Sequence, residues 1–389
     1  MRIAHIAPPW LPIPPKNYGG TENVIYNLVE EQVQQGNEVT LFAPGDAKTS
    51  AELISFFPHS LGADGVPWDA HLKAYYHLHR TVAYLKKHKN DFDIVHMHLS
   101  SSSDMYIFPL TETLSLPHIT TLHSQFPFDK TTDGWEGDAD TYYLERFARA
   151  PLVAISESAR HQAQKNSFPL NIVGVVHHGI PVKRARTESP RTEDFFVWLG
   201  RMVPEKGAHL AIEAAKQAGV RLILAGIVDR HVPHALRYFR EQIEPQLDDQ
   251  QITYIGPVGA TAKVDLLSRA RGLLNPIQWE EPFGLVMVEA MATGCPVIAF
   301  RRGAASEIIA SEKVGFLVND VATMVNGMRR IDEIDRNVVR HYTEAHFSAR
   351  AMAENYALVY NRIIALRQSL AMPLVIPGKT TRAGLMDTF

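Results

Sequence analysis

The sequence of 389 residues contains a single cysteine, Cys295, which can form neither an internal disulfide nor a zinc site built from several cysteines. No stretch reaches the roughly 18 apolar residues of a membrane-spanning helix, because charged residues interrupt every hydrophobic run. With 39 Lys and Arg against 42 Asp and Glu, the chain has no broad positive field, so we expect no nucleic-acid partner. Pro8 and Pro9 interrupt the opening MRIAHIAPPW before it reaches the length of a secretory signal. We therefore expect a cytoplasmic protein, at most in peripheral contact with a membrane.

What the sequence does have is an alternation of short apolar runs with helical patterns. An apolar run at 2–7 is followed by a proline-rich loop, an amphipathic stretch at 21–35 and a second apolar run at 38–43. Further runs, apolar along most of their length, are found at 93–97, 118–122, 152–155 and 172–176. Strands that are apolar on both faces are typical of a parallel sheet covered by helices on both sides.

The composition changes at 183–194, where Ala185 is the only hydrophobic residue, and this segment is interpreted as a linker. The same alternation then restarts at 195–199. We predict an α/β protein of two Rossmann-like, doubly wound domains, at 1–185 and 194–347, with the helix 348–369 joining the first domain and 370–389 irregular. If the carboxyl ends of the two sheets face each other, the site lies in the cleft between them.

The first motif is PPWLPIPPKNYGG, in which Gly19 and Gly20 precede a helix that Thr21 is expected to cap. Glycines allow the backbone to approach a ligand closely, and a helix N-terminus attracts an anion such as phosphate. An ordinary strand-to-helix turn is an equally good interpretation of two glycines.

The second motif is GRMVPEKG at 200–207, between a predicted strand and a predicted helix. Arg201 and Lys206 bring two positive charges to a helix N-terminus, where they reinforce its attraction for a diphosphate. Surface ion pairing is the alternative, and the position directly after a strand favours the anion site.

The third motif, EPFGLVMVEAMATG, begins at Glu281 and contains Glu289. Pro282 and Gly284 indicate that Glu281 lies in a loop, with Glu289 on the helix that follows. Each carboxylate has two acceptor oxygens and suits vicinal sugar hydroxyls, although acidic residues are also common in first turns by chance.

Together, these motifs resemble family-4 glycosyltransferases, a retaining, nucleotide-sugar-dependent class with the GT-B fold. The resemblance runs from the GG pair at 19–20 through GRMVPEKG to EPFGLVMVE, whose two glutamates are separated by seven residues. It implies two domains facing each other across a cleft, and transfer of a hexose from a nucleoside-diphosphate sugar to a hydroxyl of a glycan, lipid-linked or small-molecule acceptor, with retention of configuration.

The resemblance also implies roles for individual residues. Glu281 contacts the donor sugar hydroxyls, and Glu289 holds the ribose. His123, which ends a predicted strand, lies beside the donor sugar, although the residues alone favour a structural histidine there. The catalytic residues implied are His123, Glu281, Arg201 and Lys206, and the donor-binding residues are Gly19, Gly20, Arg201, Lys206, Glu281, Phe283, Gly284, Leu285 and Glu289.

We predict no metal site and no cofactor, with UDP or GDP as the nucleotide of the donor. The Asp-x-Asp strings at 91–93 and 138–140 lack the cation-bearing strand-to-helix context of the motifs above. His96 and His98 share one strand face, but no third ligand is in clear register. The chain departs from the family at Ala304, which stands where relatives commonly carry the second glycine of a pair.

The acceptor side is less defined. Trp10 and Tyr18 of the proline-rich loop either stack on an acceptor or pack against the domain. Segment 71–89 carries five basic residues and is interpreted either as a helix on a membrane surface or as a core-facing helix; its apolar face is predicted to comprise Leu72, Tyr75, Tyr76, Val82 and Ala83. The alternatives to a transferase are a nucleotide-sugar epimerase of the same fold and a noncatalytic sugar-binding receptor.

Overall fold

Two parallel sheets form the framework of the computed structural model, which describes every residue except 16–18, 69, 125–138, 166–167, 183–192, 230–231 and 372–389. The strands of the first sheet are β1 (Arg2–Ile6), β2 (Glu38–Phe42), β3 (Glu52–Ile54), β4 (Ile94–Leu99), β5 (His118–Leu122), β6 (Leu152–Ala154) and β7 (Ile172–Val175). Their order is β3-β2-β1-β4-β5-β6-β7, and every neighbouring pair is parallel.

The second sheet is built in the same way. Its strands are β8 (Phe195–Leu199), β9 (Arg221–Ala225), β10 (Ile252–Tyr254), β11 (Gly272–Asn275), β12 (Val297–Phe300) and β13 (Gly315–Val318). Their order is β10-β9-β8-β11-β12-β13, again with parallel neighbours throughout. The predicted strands are present, whereas β3 and β13 were not predicted, since Glu52 and Gly315 open short runs with little apolar periodicity.

Helices cover both sheets. They are α1 (Gly20–Gln34), α2 (His71–Lys87), α3 (Ile107–Thr111), α4 (Ala139–Arg146), α5 (Glu157–Ala163), α6 (Ala208–Ala218), α7 (Pro233–Tyr238), α8 (Ala260–Arg269), α9 (Leu285–Ala292), α10 (Ala305–Ile308), α11 (Val321–Arg330), α12 (Arg336–Phe347) and α13 (Ala349–Ala371). None of the described helices combines the length and apolar character that crossing a bilayer requires.

The last helix returns to the first sheet. On α13, Tyr356 and Tyr360 are buried in one cluster with Ile3, Ile94 and Ile119. A parallel bridge between residues 180 and 348 marks where the chain crosses back. The predicted linker lies mostly outside the described residues.

The order of each sheet fixes where a ligand can enter. Strand order reverses next to β1 in the first sheet and next to β8 in the second. In open parallel sheets, the crevice at such a reversal lies beyond the carboxyl ends of the strands. The loops that follow β1 and β8 carry the glycine pair and the GRMVPEKG motif, so the topology sends both motifs to crevices.

For Trp10, the structure decides between the two alternatives that the sequence left open. Trp10 is 2% exposed, its indole Nε1 donates to Ser103 Oγ at 3.1 Å, and its ring stacks on Trp68, so it packs against the domain. Tyr18 lies outside the described residues.

The predicted apolar face of α2 is wrong except at Val82. The helix buries Ala74, Leu78 and Val82, while Leu72 is 83% exposed. Tyr75, Tyr76 and Ala83 also point away from the core. The spacing of the small residue Ala74 and of Leu78 determines the buried face, and the large aromatic residues lie outside it.

Candidate functional site

The glutamate that opens the EPFG loop meets the lysine of GRMVPEKG. Lys206 ends a short 3-10 turn after β8, and its ammonium group forms an ion pair with Glu281, 75 positions later in the chain. The indole Nε1 of Trp279 donates to the same carboxylate oxygen at 3.0 Å. The side chains of Lys206 and Glu281 are 21% and 14% exposed, so the pair is largely shielded from water. An ammonium has three donors, which leaves Lys206 able to bind an anionic ligand as well.

The backbone around Lys206 is held closely. Trp198 of β8 donates from its indole to the Lys206 carbonyl at 3.0 Å. Gly207 has a φ of 73°, and a Cβ atom there would lie 2.0 Å from the Pro276 carbonyl oxygen, so only glycine permits this approach. The turn that carries Lys206 therefore has little freedom to move away from the loop of Glu281.

Arg201 occupies the same loop but not the same ion pair. Its side chain is exposed and has no hydrogen-bond or ion-pair partner within the described part of the chain. Of the two predicted cations, Lys206 is already paired with a carboxylate and Arg201 is free to turn toward an anion.

Glu289 has a partner that the sequence did not indicate. On α9, its carboxylate forms an ion pair with Lys263 of α8, with Nζ and Oε1 separated by 2.5 Å. Both side chains are about a quarter exposed, at 26% and 24%. No motif in the sequence includes Lys263, so nothing distinguished this lysine from a surface residue.

The glycine pair starts α1 and faces the other domain. Gly19 caps the helix with a φ of 155°, and α1 begins at Gly20, so the predicted cap at Thr21 is wrong. A Cβ atom on Gly20 would lie 3.6 Å from Cδ1 of Leu285, the first residue of α9. The N-termini of two helices, one from each domain, therefore lie next to each other.

The loop of Glu281 is fixed by a second glycine. Gly303 has a φ of 54°, and a Cβ atom there would lie 2.2 Å from the Glu281 carbonyl oxygen. The N–H of Ala304 donates to that same oxygen at 3.0 Å. Ala304 is fully buried, so the methyl group that departs from the family pattern faces protein.

His123 follows β5 and is lined up with rings from both domains. It is 8% exposed, and burial lowers its pKa to about 3, which keeps the imidazole neutral at pH 7. Its ring stacks on His178 with centroids 5.1 Å apart, and His178 contacts the Phe283 ring at 5.1 Å. Through these rings, His123 is connected to the EPFG loop. Phe283 is 2% exposed, so its role in donor binding stays a prediction.

The two domains are joined by hydrogen bonds beside this row of rings. Glu307 accepts from the backbone N–H groups of Glu157 and Ser158, at 2.7 and 2.8 Å, and from His177 Nε2 at 2.9 Å. Burial alone would raise the pKa of Glu307, but these hydrogen bonds outweigh it and lower the pKa. Ser156 also donates to the Pro282 carbonyl at 2.6 Å.

Sequence reasoning missed a buried carboxyl group beside the glycine pair. Glu22 is 5% exposed in the first turn of α1, and burial, with a smaller contribution from Asp104, raises its pKa to about 7. A Cβ atom on Gly19 would lie 2.8 Å from Glu22 Oε2. The acidic residue that follows a glycine pair in the sequence looks like an ordinary first-turn residue, so its burial was not foreseen.

Three buried histidines lie close together in the first sheet. His5 of β1 supplies the third imidazole that the sequence did not reveal, with ligand atoms of His5, His96 and His98 all within 4.8 Å of one another. The premise that no third ligand is in register was therefore wrong, because strands β1 and β4 are adjacent although distant in sequence. Asp93 instead pairs with Arg2 at 2.6 Å, and Asp138 lies outside the described residues.

Comparisons with known proteins find glycosyltransferases along almost the whole chain. The family described as Glycosyltransferase Family 4 matches residues 18–184, and the family described as Glycosyl transferases group 1 matches residues 180–342. A phosphatidyl-myo-inositol mannosyltransferase of Mycobacterium tuberculosis is 24% identical over 95% of this chain and 97% of its own length.

Solved structures share the fold. The sucrose-phosphate synthase of Thermosynechococcus elongatus superposes with a TM-score of 0.70 at 20% identity, covering 94% of this chain and 99% of that one. An Anabaena protein, Alr3699/HepE, solved in complex with UDP and glucose, superposes with a TM-score of 0.66 at 18% identity over 93% of this chain and 99% of that one. The predicted GT-B fold is confirmed.

Proposed function

The chain belongs to family 4 of the glycosyltransferases, and from that premise we propose that it transfers a hexose from a nucleoside-diphosphate sugar to a hydroxyl acceptor with retention of anomeric configuration. The observation that carries this proposal is the ion pair of Lys206 and Glu281 next to the N-termini of α9 and α1. A cation, a carboxylate and two helix N-termini are the groups that a sugar attached to a diphosphate requires.

In the proposed complex, the diphosphate lies against Arg201 and Lys206. As the anomeric bond breaks, its electron pair passes to the phosphate oxygen, and negative charge grows there. Two cations and two helix N-termini stabilise that charge more than they stabilise the bound donor, so electrostatic stabilisation of the leaving group is the largest catalytic contribution. Gly19 and Gly20 allow the backbone to lie against the phosphates.

The carboxylates bind hydroxyl groups in this proposal. Glu281 accepts hydrogen bonds from the donor sugar, and Glu289 accepts them from the ribose, eight residues along on α9. Lys206 and Trp279 hold Glu281 in place, so it acts as an oriented acceptor. His123 lies beside the sugar from the other domain. Gly284 and Leu285 begin α9 where the phosphates meet the helix.

Retention follows from attack on the same face as departure. The acceptor oxygen bonds to the anomeric carbon while the leaving phosphate oxygen takes the acceptor's proton, which balances the charge without an enzyme nucleophile.

We propose UDP or GDP as the nucleotide, because one relative is a mannosyltransferase and one structural neighbour holds UDP. We propose that no metal is essential, since Arg201 and Lys206 supply the positive charge; activity that survives a chelator unchanged is the expected result, and loss of activity contradicts it.

The test is incubation with UDP-, GDP-, ADP- and dTDP-sugars and a broad set of hydroxyl acceptors. Transfer with at least one donor is expected, and NMR of the product gives the anomeric configuration. An inverted product contradicts retention, and neither transfer nor donor hydrolysis with any pair contradicts the transferase.

A matched pair of variants links activity to the site. Glu281→Gln should lower kcat by about a hundredfold or more, because a neutral amide cannot both hold Lys206 and accept from the sugar. Glu280→Gln changes the same charge one residue earlier and keeps an acceptor for the Gly303 N–H, so near-normal activity is expected. Equal losses in both variants contradict the assigned role.

Two alternatives give different results in the same assays. An epimerase of this fold converts the donor pool without an acceptor, which NMR of the donor alone detects. A noncatalytic receptor binds the sugar and turns nothing over, so its Glu281→Gln variant changes affinity only.

Membrane contact stays a separate prediction. Leu72, Tyr75 and Tyr76 are exposed on α2 beside basic residues, which suits a membrane surface. Co-flotation with anionic liposomes, weakened by Leu72→Asp, is the result this prediction requires, and no co-flotation removes it.

A further inference from the structure

A row of buried hydrogen bonds leads through the first sheet from α1 to His123. Gln32 Oε1 lies 2.7 Å from His5 Nε2, His5 Nδ1 lies 3.0 Å from His98 Nε2, and His98 Nδ1 lies 2.8 Å from His123 Nε2. We call Gln32, His5, His98 and His123 the histidine row. All four side chains are at most 8% exposed. The row joins residues from α1, β1 and β4 to the residue that follows β5.

The imidazoles of the row are neutral near pH 7. Burial lowers the pKa of His5 to about 4 and the pKa of His98 well below its usual value. A neutral imidazole has one N–H donor and one unprotonated acceptor nitrogen, so each ring donates in one direction and accepts in the other.

Gln32 sets the direction of the row. Its amide nitrogen donates to the Tyr360 hydroxyl at 3.1 Å, which turns its carbonyl oxygen toward His5. A carbonyl only accepts, so His5 Nε2 carries the proton and His5 Nδ1 accepts from His98 Nε2. By the same step, His98 Nδ1 accepts from Nε2–H of His123.

The Tyr360 hydroxyl supports this arrangement. Having accepted from Gln32, it donates to His96 Nδ1 at 2.7 Å, and His96 Nε2–H donates to Thr121 Oγ1 at 2.7 Å. The amide of Gln32 is therefore held by α13 as well as by His5.

We propose that Gln32, His5 and His98 are positioning residues that hold His123 in its Nε2–H tautomer, so that Nδ1 accepts a hydrogen bond from a hydroxyl of the donor sugar. His123 Nδ1 is buried and has no hydrogen-bond partner among the described residues. This inference rests on the proposed function, in which a sugar lies beside His123. An unprotonated nitrogen accepts from a hydroxyl but repels a carboxylate, so the row selects a donor sugar with a hydroxyl at that position over one with an ionised acid.

A three-histidine metal site is the competing interpretation of part of the row. The six ring nitrogens of His5, His96 and His98 all have hydrogen-bond partners within the described chain. A metal ion would have to break several of these buried bonds, and the hydrogen-bonded arrangement needs no such rearrangement.

The direct test is NMR of the full-length protein with 15N-labelled histidine and no ligand. The two ring nitrogens of His123, assigned by their loss in His123→Asn, should give one protonated and one unprotonated signal, with the proton on Nε2. A proton on Nδ1, averaged shifts from two tautomers, or one bound metal ion per chain by elemental analysis overturns the inference.

A distant variant adds a functional readout. Gln32→Met removes the acceptor that sets the direction, and we expect averaged His123 shifts and a fall in kcat/KM of about tenfold, the size of one lost hydrogen bond. His77→Met removes another fully buried imidazole of the same domain, whose Nε2 contacts the Ala7 carbonyl, and should leave the His123 signals unchanged. Unchanged His123 signals in Gln32→Met overturn the inference; if that variant does not fold, the ligand-free spectrum of the parent still decides it.

These experiments distinguish a failure of the inference about the tautomer from a failure of the proposed function. A single Nε2–H tautomer with no binding of any nucleotide sugar contradicts the function and leaves the row intact. Turnover of a donor by a protein whose His123 carries its proton on Nδ1 contradicts the inference and leaves the function intact.

Discussion

The two sides of the interdomain site differ in charge. We call the side formed by the C-terminal domain the C-terminal or charged wall, and the side formed by the N-terminal domain the N-terminal or neutral wall. The C-terminal wall has charged side chains, in which Lys206 pairs with Glu281 and Lys263 pairs with Glu289, all of them partly exposed. The N-terminal wall has neutral, buried rings, with His123 as its foremost member. In the proposed function, this difference matches the donor, because its diphosphate needs charge and its sugar needs oriented neutral hydrogen bonds.

The walls also differ in what holds each side chain in place. Charges on the C-terminal wall fix one another through ion pairs and through loops closed by Gly207 and Gly303. The ring of His123 is instead positioned by a row of hydrogen bonds that begins on α1. Substitutions that change charge should therefore affect the C-terminal wall most, and changes in protonation should affect the N-terminal wall most.

The largest expected effect is on the charged wall. Lys206→Met should lower kcat/KM by about 10² to 10³-fold, because it removes a donor to the leaving phosphate and frees the Glu281 carboxylate. Steady-state kinetics with the active donor measures this change.

Lys216→Met is the control for that variant. Lys216 lies on the exposed side of α6, where its ammonium donates to Gln246 Oε1 at 2.7 Å, so its removal should leave kinetics unchanged. A loss in Lys206→Met no greater than in this control would mean that the charged wall does not bear on the reaction.

The free energy of unfolding should fall at acid pH because of the buried histidines of the neutral wall. In the unfolded chain a histidine gains a proton near pH 6.5, whereas burial lowers the pKa of folded His5 to about 4 and of folded His123 to about 3. As the pH falls from 6.5 to 4, the unfolded chain binds more protons, so the free energy of unfolding falls, by at most about 1.4 kcal/mol per pH unit for each such histidine. Urea unfolding at several pH values measures the slope, and a flat profile over this range contradicts neutral burial.

Glu22 is a buried carboxyl group beside the neutral wall. Its effect on stability should change with pH in the direction opposite to that of the buried histidines. Its pKa is raised to about 7, so the folded chain binds more protons than the unfolded chain between pH 4.5 and 7, and stability falls as the pH rises. Glu22→Gln should therefore stabilise the protein at pH 8 by up to about 3 kcal/mol and have little effect at pH 4.5. Glu31→Gln on the same helix is the control, and a gain at pH 8 shared by both variants contradicts the assignment.

The smallest expected effect concerns the contact that joins the walls. Glu307→Gln weakens three hydrogen bonds to the N-terminal domain and should cost about 1 to 3 kcal/mol of stability. The pKa of Glu307 is lowered, so its contribution is present above the usual carboxyl range and is lost as the pH falls through it. Thermal unfolding at pH 7 measures the cost, and Glu312→Gln, an exposed surface pair, should show none.

The charged wall was open to prediction from the sequence. GRMVPEKG and EPFG are contiguous motifs placed after strands, and strand β8 has the predicted bounds. Because loops after neighbouring parallel strands meet at one edge of a sheet, the meeting of Lys206 with Glu281 follows from the topology. Lys263 escaped notice because its partner depends on how α8 packs against α9.

Most contacts of the neutral wall could not be predicted from the sequence. His5, His98 and Gln32 lie on three elements, and their contacts depend on the pairing of β1 with β4 and on the docking of α1. A histidine inside an apolar strand carries no local signal for its neighbours across the sheet. Glu22 was hidden for the same reason, since its burial depends on the loop before α1.

A crystal structure of the full-length protein soaked with nucleoside diphosphates and their sugars tests the central claim most directly. The account predicts a diphosphate in contact with Lys206 and Arg201, between the N-termini of α1 and α9, with the sugar between Glu281 and His123. A nucleotide bound with its phosphates away from Lys206 and Glu281 would contradict it.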